Sequence, residues 1–264
     1  VTNLDNPGTE QGWVIGILSK IVPVDMSWVS IYWIFALISL LMVLVIIAVP
    51  FPKVQLNEEE KVGTKSTYID LFKDRKVVLY FLGIFAYVGT EQGISYWMSQ
   101  FLQEYHGYDF KTVGADAIGN FWGLMTIGGI LGLLLLKIMD SKWVLRIFSV
   151  CAILSFSLAL FGDANVSLCA FQVCGFFLSV MYPVIMSLAL NSVSKHHGAF
   201  AGILMTGIMG GAVVQLLIGF VSDIASLKTG MLLVFVALGY ILSISFWAKP
   251  IIRNKTIGLG KDKK

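Results

Sequence analysis

The chain has 264 residues, 57% of them hydrophobic and 13% charged, with a formal net charge of +3. Soluble domains carry about a quarter charged residues and about 45–50% apolar ones, so a water-soluble fold would strand more apolar surface than its interior could hold. Lipid must therefore solvate much of the surface, and basic residues dispersed through loops give no reason to expect a nucleic-acid partner.

In chain order, the first segment is polar at Asn3, Asp5, Asn6, Pro7 and Gly8, then apolar but short over Gly12–Val24, where Lys20 and Pro23 break it. Residues 1–28 read as an extracytoplasmic loop lying near the membrane surface. No signal peptide is visible and the chain opens on Val1, which leads us to expect a fragment of a longer protein. Apolar runs follow at about 29–50, 78–102, 117–138, 143–162, 166–190, 199–222 and 230–248. Each is near the ~20 residues that cross a bilayer core. Tyr32, Trp33, Trp143 and Trp247 lie near run ends, where amphipathic rings favour the interface.

Between the first and second runs lies a polar stretch, 53–77, read as a central cytoplasmic loop. Its Glu58-Glu59-Glu60 triplet reads as a solvated charge run rather than a catalytic or metal cluster. Ser66 or Thr67 is expected to cap a short amphipathic helix carrying Tyr68, Ile69, Leu71 and Phe72 on the membrane surface. Seven spans sort the basic residues to one side: of the 19, only Lys20, Lys111 and Lys228 fall opposite. The basic side, including the tail 249–264, is predicted to be cytoplasmic, in a cell (inner) membrane. The expected organisation is all-α and polytopic, with one leftover span at 29–52 and a six-helix bundle over 78–248. Cys151, Cys169 and Cys174 sit in apolar runs without CxxC or histidine spacing, so no disulfide, metal or cofactor is read from them.

Polar groups at mid-membrane are costly, about 2.5–3.5 kcal/mol for a charge on insertion scales, and call for a reason. Within the last six runs Glu91 is the ionisable group near mid-depth. At helical spacing Tyr87, Glu91, Gln92, Ser95 and Ser99 share one stripe, with Trp97 at its edge. Carboxylate, amide and phenol match the hydroxyls of a polyhydroxylated ligand, and rings match its apolar faces. The bland alternative is a buried neutral Glu91 tying two helices together. Asn120 with Trp122, Tyr182, and Thr206 with Gln215 are further mid-depth candidates, Asn120 and Gln215 equally suited to interhelical hydrogen bonds. Pro183 removes a backbone donor beside Tyr182 and is expected to kink that span. Gly119, Gly123, Gly128 and Gly132 in one run, and Gly198, Gly202, Gly207, Gly210 and Gly211 in another, suit close helix approach. Gly128/Gly132 and Gly207/Gly211 have GxxxG spacing, which fits either static packing or the sliding of a rocking transporter.

Three segments, in order, resemble the fucose and glucose/galactose permeases, proton-coupled sugar symporters of the major facilitator superfamily. They are Tyr87-Val88-Gly89-Thr90-Glu91 with Trp97; Ser179-Val180-Met181-Tyr182-Pro183-Val184-Ile185-Met186-Ser187-Leu188; and Met205-Thr206-Gly207-Ile208-Met209-Gly210-Gly211 leading to Gly219-Phe220-Val221-Ser222-Asp223. The resemblance runs from about Asp70 to Trp247. It implies the second half-bundle of a twelve-helix carrier of a hexose or deoxyhexose, with a sugar cavity between the halves. Glu91, Gln92, Trp97, Asn120, Tyr182 and Thr206 are the expected substrate-binding residues, and Gly128, Gly132, Pro183, Gly207 and Gly211 the expected gating or packing residues. No catalytic residue is expected. The family's proton-coupling carboxylates belong to its first half, so the missing N-terminal half-bundle and a proton are implied partners besides sugar and lipid. Two positions depart from the pattern: the Gly-Arg-x-x-Gly of relatives is Gly128-Gly129-Ile130-Leu131-Gly132 here, and Met181 stands where a fucose-type relative has Gln. Competing readings are a major facilitator carrier of a non-sugar solute such as a drug, a seven-helix receptor or retinal protein, an intramembrane enzyme, and a truncated chain that transports nothing. The last run has no mid-depth Lys for a Schiff base, and no run carries HExxH, paired acids or a Ser/His dyad.

Overall fold

A computed structural model describes Val22, Met26, residues 29–50 and residues 65–251. The loop expected at 1–28, save Val22 and Met26, the acidic triplet and the tail beyond Ile251 lie outside the described residues. The chain divides into two compact units, Val1–Gln55 and Leu56–Lys264. The first contains α1, Ser30–Ala48, with mean hydropathy 2.9 and no charged residue. Its 19 residues rise about 28 Å, close to the ~30 Å hydrocarbon core.

The second unit begins with α2, Lys65–Lys73. Ser66 and Thr67 fall inside its first turn rather than ahead of it. Six membrane-crossing segments follow. α3 is Arg75–His106, α4 is Val113–Ile138 and α5 is Ser141–Phe161. α6 (Ala164–Leu178) and α7 (Met181–Leu190) share one crossing. α8 (His197–Thr206), a 3-10 turn at Gly207–Met209 and α9 (Gly210–Ile224) share the next. α10 (Leu227–Met231) and α11 (Leu233–Trp247) make the last. With α1, seven segments are long and apolar enough to span a membrane, and no strand occurs among the described residues. The expected all-α polytopic class holds.

Local chemistry sets the boundaries. Asp74 caps α3 by accepting from the Lys76 N–H at 2.8 Å, and Asp140 caps α5 by accepting from the Lys142 N–H at 2.9 Å. Gly107 ends α3 at φ +70°, in the left-handed region that favours glycine, and the Tyr108 N–H closes the motif on the Leu102 carbonyl. The sixth crossing was expected as one helix from about 199 to 222, and the fifth from about 166 to 190; both are interrupted. The α6–α7 interruption falls at Ser179 and Val180, and Ser179 is four residues before Pro183, where the proline ring meets the i−4 carbonyl. Both residues keep right-handed helical torsions, so the helix bends there rather than ending.

α3 is the hub, packing on α2, α4, α6, α7, α8, α9, α10 and α11. Its core side chains include Tyr80, Ile84, Ile94, Met98, Phe101 and Leu102, all nearly inaccessible. α4 is the least enclosed crossing of this unit.

Candidate functional site

The polar stripe on α3 does not present one uniform face. Ser95 and Ser99 turn into the bundle, where the Ser95 hydroxyl donates to the Gln92 carbonyl at 3.3 Å and the Ser99 hydroxyl to the Phe110 carbonyl at 3.4 Å. Glu91 and Gln92 are half-buried, one turn on from buried Tyr87. The Tyr87 phenol interacts with the Glu91 carboxylate, and its ring packs on Tyr182 of α7 with centroids 5.7 Å apart. The Tyr182 hydroxyl donates to Met205 Sδ on α8 at 3.5 Å, beside exposed Thr206, whose own hydroxyl donates to the Ile203 carbonyl at 2.7 Å.

On the other flank, Gln92 Nε2 donates to Glu91 Oε1 at 3.2 Å, and Gln215 Nε2 of α9 donates to the Gln92 carbonyl at 3.2 Å. Gln215 leads to a shallow cavity of about 440 Å³, whose lining includes Tyr96, Trp97, Gly219, Phe220 and Asp223. The Trp97 ring lies over Gly219, where a Cβ would stand 3.1 Å from Cζ2, and its buried Nε1–H has no hydrogen-bond partner among the described residues. Tyr96 packs edge-on against Trp97 at 5.1 Å. Carboxylate, amides, phenols and indole thus form one strip from α7 across α3 to α9. A strip of acceptors, donors and ring faces can bind a neutral polyol by hydrogen bonds and stacking.

Of the expected binding residues, Glu91, Gln92, Trp97 and Tyr182 belong to this strip, and Thr206 borders it. Asn120 stands apart, exposed on α4 and without a hydrogen bond among the described residues. Trp97 is not beside Glu91: six residues on, it faces α9 while Glu91 lies toward α7. Tyr96 was not among the expected residues, and Met205 and Asp223 entered only as members of the third resembling segment, with no binding role assigned. The spacing of Gln215, Gly219 and Asp223, each four apart on α9, was the signal available for Asp223.

The glycines divide. Gly128 meets the Phe176 carbonyl and Ser179, and Gly132 meets Val180, so both lie against the α6–α7 bend. Gly207 meets Ile84, and Gly211 meets Gln92 and Val88, both on α3. Gly119 and Gly123 face open space rather than a neighbouring helix, because that side of α4 is exposed.

The sequence profile of the Major Facilitator Superfamily matches residues 11–214. The chain belongs to the major facilitator superfamily. A glucose/galactose transporter of Brucella abortus is 29% identical over 169 residues, covering 63% of this chain and 41% of its own length. The L-fucose-proton symporter of Escherichia coli is 29% identical over 200 residues, 74% of this chain and 45% of its own. The crystal structure of the superfamily transporter FucP in its outward conformation superposes with a TM-score of 0.71 at 24% identity, covering 91% of this chain and 61% of that one. The chain spans less than half the length of the curated relatives it matches, and its helices adopt part of the major facilitator fold.

Proposed function

We propose that the chain forms the C-terminal part of a proton-coupled sugar transporter that takes up a hexose or deoxyhexose by alternating access. The supporting observation is the strip Tyr182–Tyr87–Glu91–Gln92–Gln215–Trp97: hydrogen-bonding groups and aromatic faces brought together from three helices of a lipid-solvated bundle. Glu91 accepts from sugar hydroxyls, the Tyr182 hydroxyl exchanges its weak thioether acceptor for a sugar oxygen, and Trp97 offers its ring for stacking. In this reading α1 is the last span of the first half, residues 53–77 join the halves on the cytoplasmic side, and the C-terminus is cytoplasmic in the inner membrane. The missing half-bundle closes the cavity and carries the proton. The names of the relatives support sugar as the substrate class, and the fold supports transport rather than catalysis.

The test is uptake of labelled fucose, galactose and glucose by the complete transporter carrying Glu91→Ala or Trp97→Ala. Loss of uptake with unchanged membrane abundance is expected for both variants. Unaltered affinity for all three sugars in both variants would remove the assignment.

A further inference from the structure

A second concave site lies away from the polar strip, where the start of α5 meets the end of α11, on the side to which the basic loops sort. It encloses about 490 Å³ and is lined by Asp140, Lys142, Trp143, Arg146, Lys249 and Pro250. Lys142 and Arg146 are one turn apart and share a face of α5. The Arg146 guanidinium is held in place: its carbon lies 4.5 Å from the Trp143 ring centroid and 4.2 Å from that of Phe246. Its Nε and one terminal nitrogen donate to the Ser245 hydroxyl and carbonyl, each at 3.4 Å. Two of its five N–H groups are so engaged, and the rest of the planar fork remains for a ligand.

The charge is unbalanced. Three cations face one carboxylate, whose Oδ1 also caps α5 by accepting from the Lys142 N–H. Among the described residues the ion pair formed is Lys73–Asp70, so Lys142, Arg146 and Lys249 have no acidic partner within 4.0 Å. Clustered, unpaired cations repel one another and are stabilised by an anion. Along the same helix, Trp143, Ile147, Val150, Leu154 and Leu158 recur at helical spacing and are all exposed. This apolar face starts at the cationic cluster and descends along the span, as acyl chains would below a headgroup.

We propose that this site binds the phosphate headgroup of an anionic phospholipid, with its acyl chains lying along the exposed face of α5. Arg146 supplies fixed planar donors, while Lys142 and Lys249 supply mobile charge. Trp143 sits at the level where indole rings favour the membrane interface. A free phosphate ion shares the headgroup chemistry but would gain nothing from the apolar face.

The test is native mass spectrometry of the purified chain in detergent, titrated with phosphatidylglycerol or with phosphatidylcholine of the same acyl chains. Preferential retention of phosphatidylglycerol is expected. Lys142→Gln together with Lys249→Gln should weaken it about 30-fold, at about fivefold per cation near a membrane surface, and leave phosphatidylcholine unchanged. Neither lysine packs in the core, and an unchanged helical circular dichroism spectrum checks that the double variant folds. Equal retention of the two lipids, or full affinity in the double variant, overturns the proposal. So does complete displacement of phosphatidylglycerol by millimolar inorganic phosphate, which would make the site one for the free ion.

Discussion

Substituting Gly210 by Ala tests how the polar strip is held. Gly210 opens α9 where it crosses α3, and an added Cβ would stand 2.7 Å from the Phe85 carbonyl carbon, 2.8 Å from its Cα, and closer still to the carbonyl oxygen. All three obstacles are backbone atoms of the hub helix, so no rotamer change relieves them. The partner surface is equally close, since a Cβ on Gly89 would meet Val214 and stand 3.2 Å from the Gly210 carbonyl oxygen. The two helices must separate, which costs about 1–3 kcal/mol as overpacking. Against this stands the gain of about 1 kcal/mol that alanine brings to a helix. Because the clash is with backbone, we take the upper part of the range and expect a net loss of about 1–2 kcal/mol. Gly239→Ala is the matched control: it lies in α11 with nothing within 4 Å of the added carbon, so it keeps the propensity gain alone. Thermal unfolding in detergent, followed by helical circular dichroism, should place Gly210→Ala several degrees below the parent and Gly239→Ala at or above it. Equal midpoints for the two variants would refute the inference that backbone contact at this crossing fixes α9 against α3.

Two further outcomes are expected. In the turn joining α3 to α4, the Asp109 carboxylate accepts from the Thr112 N–H, the Thr112 hydroxyl and the Lys111 N–H, led by the Thr112 amide, and these hold its pKa below the ordinary carboxylate value. A lowered folded-state pKa stabilises the turn fully above the ordinary carboxylate range, and the effect fades as pH falls through the lower folded value. Hydrogen exchange of the Lys111 and Thr112 amides, corrected for intrinsic rate, should therefore accelerate in strong acid, and Asp109→Ala should show fast exchange at every pH. Pro183→Ala restores a backbone donor opposite the Ser179 carbonyl, so α6 and α7 should fuse into one straighter helix. Slower hydrogen exchange over residues 179–184 is the readout, and unchanged exchange would show that the bend is fixed by packing instead.

Much of this was legible in the sequence because lipid makes the backbone rule simple. Uncharged runs of ~20 residues must satisfy their own hydrogen bonds as helices, and every expected run coincides with a helical crossing within a few residues of its bounds, the last three of them interrupted. Glu91 stood out for the same reason, as an ionisable group where charge is costly. Rotation about a helix axis was harder to read. Spacing placed Ser95 and Ser99 with Glu91, but the close approach of Gly114 to Ser99 and the loop carbonyl of Phe110 draw that end of the stripe into the bundle. Gly119 and Gly123 carry the same signal as Gly128 and Gly132, yet only the second pair meets a neighbour; a glycine shows where a helix can approach, and the facing helix decides whether it does. The 3-10 turn after Thr206 left no proline to announce it.

The length of α3 sets how the chain responds to bilayer thickness. Its 32 residues rise about 48 Å, whereas a 30 Å core crossed at a 40° tilt takes about 39 Å of helix. More than a turn therefore stands among the headgroups at any reasonable tilt, with Arg75 and Lys76 at one end and Glu104 and His106 at the other already suited to water. A thicker membrane can be met by drawing in that reserve and standing α3 more upright. α1, with no turn to spare, has no such slack. Hydrophobic mismatch should thus fall first on the short uncharged span, while the helix bearing Glu91 and Trp97 keeps its register across membranes of different depth.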